Sequence, residues 1–142
     1  MSALRKLIRL LCLRAHRSDV PTSFVPLSEL RSVAVFVDDS DPGCEPARLS
    51  IRKFFGDRGM EISVISASDR DIRTSSDLFI ALNTKGSIDE RYAAASSRAR
   101  FKIGRHGLRN SPYDFVLSDP EEGPASVGDA FDAIARLLTS VK

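Results

Sequence analysis

Residues 32–38 read SVAVFVD, a nearly unbroken apolar run rich in valine. A strand that meets water on one face alternates apolar with polar residues, whereas one covered on both faces does not need to. This run therefore predicts a central strand of a parallel sheet. It breaks into Asp38-Asp39-Ser40-Asp41-Pro42-Gly43, after which Glu45-Pro46 opens a helix. Ala47, Ile51, Phe54 and Phe55 fall on one face of that helix, and Gly59 ends it. Working outward, Glu61 to Ser66 (EISVIS) reads as the next strand and Asp77 to Leu82 (DLFIAL) as a third.

Ser87-Ile88-Asp89-Glu90 has the form of a capping box, in which the serine accepts from the Glu90 amide and the glutamate reaches back. An alanine-rich helix follows through Ser97. Arg98 to Gly104 then alternates, with Ala99, Phe101 and Ile103 on one side and Arg98, Arg100 and Lys102 on the other. That pattern predicts a strand with one buried face and one solvated basic face. Tyr113 to Ser118 supplies a fifth strand. Ser126 to Val141 supplies a last helix, with Val127, Phe131, Ile134, Leu138 and Val141 at helical spacing.

Strands alternating with helices predict an α/β fold: a flavodoxin-like, mostly parallel five-stranded sheet in the order 2-1-3-4-5, with helices on both faces. One link strains it. Residues 105–112 are shorter than the dozen or so that a parallel crossover usually needs. The expectation is that this link is irregular or the pair antiparallel, leaving the basic face of the fourth strand uncovered.

Ahead of this domain, which spans 32–142, lie two segments of different character. Residues 1–17, MSALRKLIRLLCLRAHR, carry Arg5, Lys6, Arg9, Arg14 and Arg17 and no acid, which leaves 16 bases against 19 acids in residues 18–142. At 100° per residue Leu4, Leu7, Ile8, Leu11 and Ala15 share one face while Arg5, Arg9 and His16 lie opposite, the pattern of a basic amphipathic helix. Such a helix suits an anionic membrane surface, RNA phosphates or the groove of a protein partner. A leucine face of this kind also packs on its own domain, and the Arg-rich, acid-free composition fits an organellar transit peptide as well. Residues 18–31 hold Pro21 and Pro26, so the chain there is expected to be extended, a linker. Phe24, Val25 and Leu27 are apolar enough for it to lie along the domain surface.

Composition narrows the class further. A chain of 142 residues that is 42% hydrophobic and 28% charged can bury one core without metal or disulfide support. Cys12 and Cys44 stand far apart with no CxxC pattern and no ligand set for zinc, which reads as two free thiols in a reducing compartment, the cytoplasm. Arg9 and Arg14 interrupt the only leucine-rich stretch, so neither a spanning helix nor a signal peptide is expected, and the chain would be at most peripheral to a membrane.

Ligands of open α/β sheets bind outside the carboxyl ends of the strands. Here that rim consists of Asp38, Asp39 and Asp41, then Asn83, Thr84 and Lys85, Gly104 to Arg109, and Ser118 with Asp119; Asp38, Asp39 and Asn83 are its leading candidates. Loops leaving buried strands are polar in any case. A second constellation is Arg98, Arg100, Lys102, Arg105, His106 and Arg109, a basic stripe suited to phosphate groups if the strand face is open. Trp is absent and Phe101 is expected to point inward, which disfavours stacking on single-stranded nucleic acid. No GxSxG, P-loop or GxGxxG occurs, so no catalytic residue, metal or cofactor is assigned.

The segment VAVFVDDSDPGCEPARLSIRKFFGDRGMEI resembles the opening of a phosphoacceptor receiver domain, in which an acidic pair after the first strand holds magnesium. The third strand then ends Ala81-Leu82-Asn83, with no aspartate to phosphorylate, and the fifth ends Ser118-Asp119-Pro120 where a receiver has lysine before proline. The segment SSDLFIALNTKGSIDERYAAASSRARFKIGRHG is similar to the middle of the N-terminal half of heptosyltransferase-type glycosyltransferases. Those enzymes need a second, nucleotide-sugar-binding half, so the likeness implies the fold and an anion-binding surface, not the transfer. The whole layout, including FKIG, resembles a family of small uncharacterised bacterial α/β proteins, which implies no function.

Two functional expectations follow. The first is a non-catalytic module that docks through Arg5, Lys6, Arg9, Arg14 and Arg17 on an anionic surface, membrane lipid or RNA, aided by Arg98, Arg100, Lys102, Arg105 and Arg109. The second is a small ligand- or phosphate-binding domain, or enzyme, that uses the strand-end rim.

Overall fold

The computed structural model describes residues 26–41, 43–105, 112–117 and 126–140. The basic segment 1–17, most of the linker, His106, Arg109, Ser118 and Asp119 lie outside them. The elements run β1 (Ser32–Phe36), α1 (Cys44–Gly56), β2 (Glu61–Ile65), β3 (Leu78–Ala81), α2 (Ile88–Ser96), β4 (Phe101–Gly104), β5 (Phe115–Val116) and α3 (Val127–Ser140). All five strands are parallel in the order β2-β1-β3-β4-β5, the flavodoxin-like order.

Strand alternation sorts the core into two layers. Val33, Val35, Leu78, Ile80 and Ile103 pack with Ala47, Ile51 and Phe55 of α1 and with Phe131, Ile134 and Leu138 of α3. Ala34, Phe36, Phe79 and Ala81 face the other way, onto Ala93 and Ala94 of α2. This explains why residues 32–38 read as unbroken apolar sequence: both faces of β1 are covered. On the α1/α3 side Phe54, Phe55 and Phe131 make edge-on contacts with centroids 4.9 to 5.9 Å apart. On the α2 side the small alanine face lets the helix approach Phe36 and Phe79.

Three expectations about the periphery need correction. The described end of the linker is not extended throughout. Pro26 leads into a single 3-10 turn, Leu27–Glu29, and Leu30 is buried against the core. Nor are the fourth and fifth strands antiparallel: Ile103 pairs with Phe115 and Gly104 with Val116 in parallel register. The pair is only two residues long, so a parallel return needs less chain than a full-length strand would; most of the link, 106–111, lies outside the described residues. Asp114 reinforces the join, its amide donating to the Lys102 carbonyl at 2.8 Å while its carboxylate accepts from the Lys102 amide at 2.8 Å.

The third correction concerns the basic stripe. The fourth strand begins only at Phe101, and all four of its residues are buried. Lys102 is 5% exposed, and its Nζ donates to the Ala94 carbonyl in the last turn of α2 at 2.7 Å. The aliphatic stem is buried and the ammonium answers a helix carbonyl that would otherwise lack a partner. Burial lowers the Lys102 pKa, opposed by nearby Asp114. Arg98 and Arg100 are exposed, but they precede the strand and are held by backbone bonds to Thr74 and Asp77. Arg105, beyond the strand, is 5% exposed. Covered by α2 and broken in this way, the row presents no continuous basic face among the described residues.

Candidate functional site

Two changes of direction create the site. From the carboxyl end of β1 the chain passes to α1 on one face of the sheet; from the carboxyl end of the neighbouring β3 it passes to α2 on the other. Loops leaving in opposite directions open a crevice between them, the switch point at which such sheets bind ligands.

Side chains from both loops brace this crevice. Asn83, buried at the end of β3, accepts the Asp38 amide through Oδ1 at 2.7 Å. Asp41 accepts from Thr84 twice, from its amide at 2.8 Å and from its hydroxyl at 3.1 Å. Gly43, with φ of +82°, caps α1 in a left-handed conformation that few other residues tolerate, and the Cys44 amide closes onto the Asp41 carbonyl at 3.1 Å. The loop is thus fixed at both ends.

Asp39 turns away from the crevice. Its carboxylate is paired with Arg48 and also accepts from Ser66 Oγ at 3.1 Å and Ser68 Oγ at 2.8 Å, so it clasps the end of β2. The Arg48 hydrogen bond, helped by Ser68, holds its pKa below the usual carboxylate range. The acidic pair implied by the receiver likeness is therefore split, with Asp39 committed to the protein. Among the described residues no group of three or more His, Cys, Asp or Glu side chains is placed to hold a metal ion.

Buried near Asp38 and Arg105 lies Glu90, which sequence reasoning treated as a helix cap alone. The cap is real: Ser87 Oγ accepts the Glu90 amide at 3.1 Å. The reciprocal arm does not close. Glu90 is 0% exposed and neither carboxyl oxygen makes a hydrogen bond of acceptable geometry. Burial pushes its pKa from 4.5 up to about 8; the nearby Ser87 amide and Arg105 pull it down, and Asp38 pushes it further up. At neutral pH the group is mainly a neutral acid, able both to donate and to accept.

Arg105 reaches the same place from β4, its Nη1 donating to the Leu82 carbonyl at 3.0 Å. Tyr113, whose hydroxyl is raised by burial and by Glu90, closes the side toward β5. Its ring lies on Gly104 so tightly that a Cβ there would sit 2.5 Å from two ring carbons. Of the residues named from sequence, Asp38, Asn83 and Arg105 thus converge with Glu90; Asp39, Arg98, Arg100 and Lys102 do not. One signal pointed to Glu90: a capping-box glutamate belongs to the first turn of a helix, and here that helix starts directly after the switch-point strand.

Comparisons with family models, with curated proteins and with solved structures give no match to this chain.

Proposed function

We propose that this protein is a small-ligand-binding α/β domain whose site is the crevice at the carboxyl ends of β1, β3 and β4. One observation carries the reading: a fully buried glutamic acid at the switch point, with both oxygens lacking a hydrogen-bond partner. An unsatisfied buried carboxyl costs about 1–3 kcal/mol or more, and a buried group left this way needs an explanation that packing does not give. A bound polar molecule supplies one. Asp38, Thr84 and Ser87, all partly exposed, form the open end, and Glu90 with Arg105 the closed end. The test is a thermal-shift screen of the full chain against nucleotides, sugar phosphates, free sugars, amines and divalent cations. At least one compound is expected to raise the midpoint; a blank panel counts against the reading.

A second reading rests on the segregated charge of residues 1–17, five bases and no acid. It makes that segment a docking element for an anionic surface, membrane lipid or RNA, independent of the crevice. Co-sedimentation of the intact chain and of an Arg5→Gln, Arg9→Gln, Arg14→Gln variant with anionic vesicles, with RNA as competitor, decides it. Equal behaviour of the two proteins removes the reading.

A further inference from the structure

We propose that α2 is a releasable cover: it lifts from the sheet as a unit before the rest of the domain unfolds, and lifts more readily once Glu90 has lost its proton. This stands whether or not the crevice takes a ligand.

The helix is held by little apolar surface. On the other side of the sheet α1 enters the core with Ile51 and Phe55, and α3 with Phe131, Ile134 and Leu138. α2, nine residues long and the one helix on its side among the described elements, offers Ala93 and Ala94, with Tyr92 only partly buried. Apolar burial stabilises in proportion to the area taken from water, so a methyl group anchors a helix far less than a phenylalanine or a leucine does. Segments with few buried apolar contacts open below the free energy of global unfolding. Phe36 and Phe79, both 0% exposed, pack with these alanines, and lifting the helix bares them.

What else fixes α2 is polar. Near its end Lys102 Nζ donates to the Ala94 carbonyl at 2.7 Å, and at its start Ser87 Oγ accepts the Glu90 amide at 3.1 Å. The Glu90 side chain works the other way. The residue is 0% exposed and neither carboxyl oxygen is hydrogen-bonded, so the docked helix tolerates the neutral acid far better than the carboxylate. Arg105 at the end of β4 favours the carboxylate and Asp38 at the end of β1 opposes it; the Tyr113 hydroxyl is also near, and Asp89 and Arg91 flank Glu90 on α2 itself. Burial outweighs these charges and sets the docked pKa at about 8, against 4.5 for the free group. On the lifted helix Glu90 meets water and ionises normally. Lifting therefore releases a proton between about pH 5 and pH 8, and the lifted fraction rises about tenfold per pH unit there before levelling off.

The experiment is amide hydrogen exchange on the full chain at about pH 5.5, 6.5 and 7.5, with and without low urea. Results are expressed as protection relative to intrinsic exchange, so the ordinary pH dependence of exchange cancels. Amides of α2 are expected to be at least about tenfold less protected than those of α1 and α3, and to ignore urea concentrations to which α1 and α3 respond. Their protection should fall about tenfold per pH unit. Glu90→Gln should abolish that slope. His106→Gln should leave it, although histidine itself titrates near about pH 6.5 and this one follows Arg105 by one position. If α2 matches α1 and α3 in protection and urea response, the helix leaves only with the whole domain and the proposal falls; that comparison needs no variant. If the slope survives in Glu90→Gln, or disappears in His106→Gln, the proton belongs to another group and the proposal falls as well.

Discussion

Replacing Glu90 with glutamine should make the protein more stable and flatten its response to alkali. Burial raises the Glu90 pKa from 4.5 to about 8, so between those values the folded protein keeps a proton that the unfolded chain has released. The folded state then binds more protons than the unfolded one, and stability falls as pH rises. At about 1.4 kcal/mol per pH unit, the loss is about 3 kcal/mol at neutral pH and approaches about 5 kcal/mol above pH 8. Glutamine has nearly the same shape and cannot ionise, so it escapes this loss while still leaving a polar group to be satisfied. The net gain expected at pH 7 is about 1–3 kcal/mol, growing toward pH 9 and shrinking toward pH 5. Urea denaturation of both proteins across that range reads it directly. Asp39, whose depressed pKa adds stability that is lost only as pH falls through it, is common to both and cancels in the difference. Parallel stability curves for the two proteins would refute the placement of Glu90 in a desolvated crevice.

Further predictions concern the surrounding framework. Gly104→Ala pushes a methyl group to 2.5 Å from the Tyr113 ring and should cost about 1–3 kcal/mol in thermal denaturation, with part recovered in a Gly104→Ala, Tyr113→Leu double variant. Asp41→Ala removes both bonds to Thr84 and should cost about 1–2 kcal/mol, with faster amide exchange at Thr84. Lys102→Ala strips the cation from the Ala94 carbonyl and empties a buried site, costing about 2–4 kcal/mol; Lys102→Met, which keeps most of the stem, should cost less.

What the sequence disclosed depended on whether a pattern was local. The run 32–38, the valines within it and the helical spacing of Ala47, Ile51 and Phe55 were legible because strand and helix periods are properties of short segments. The strand order followed from alternation and handedness. Lys102 misled because alternation marks which side chains share a face, not what covers that face; the alanine surface of α2 and its carbonyl at Ala94 turned a basic position into a buried one. The β4–β5 pair misled because crossover length was judged against a full strand, whereas the pairing is two residues long. The rim itself was readable as a place, and Asp38, Asn83 and Arg105 were named from it. That Asp39 would turn to Arg48 of α1 and to Ser68, 29 positions on, and that Glu90 would lie near Asp38, depend on side-chain contacts between separate elements, which no local pattern encodes.

The most direct test of the crevice as a ligand site is amide mapping on the nitrogen-15-labelled full chain, titrated in turn with myo-inositol, D-ribose, ribose 5-phosphate and agmatine. The account predicts that a binding probe moves the resonances of Asp38, Asn83, Glu90 and Arg105 together, with those of β2 and the outer face of α1 unchanged. Binding that leaves these four in place while moving resonances elsewhere, or no movement with any of the four probes, would contradict it.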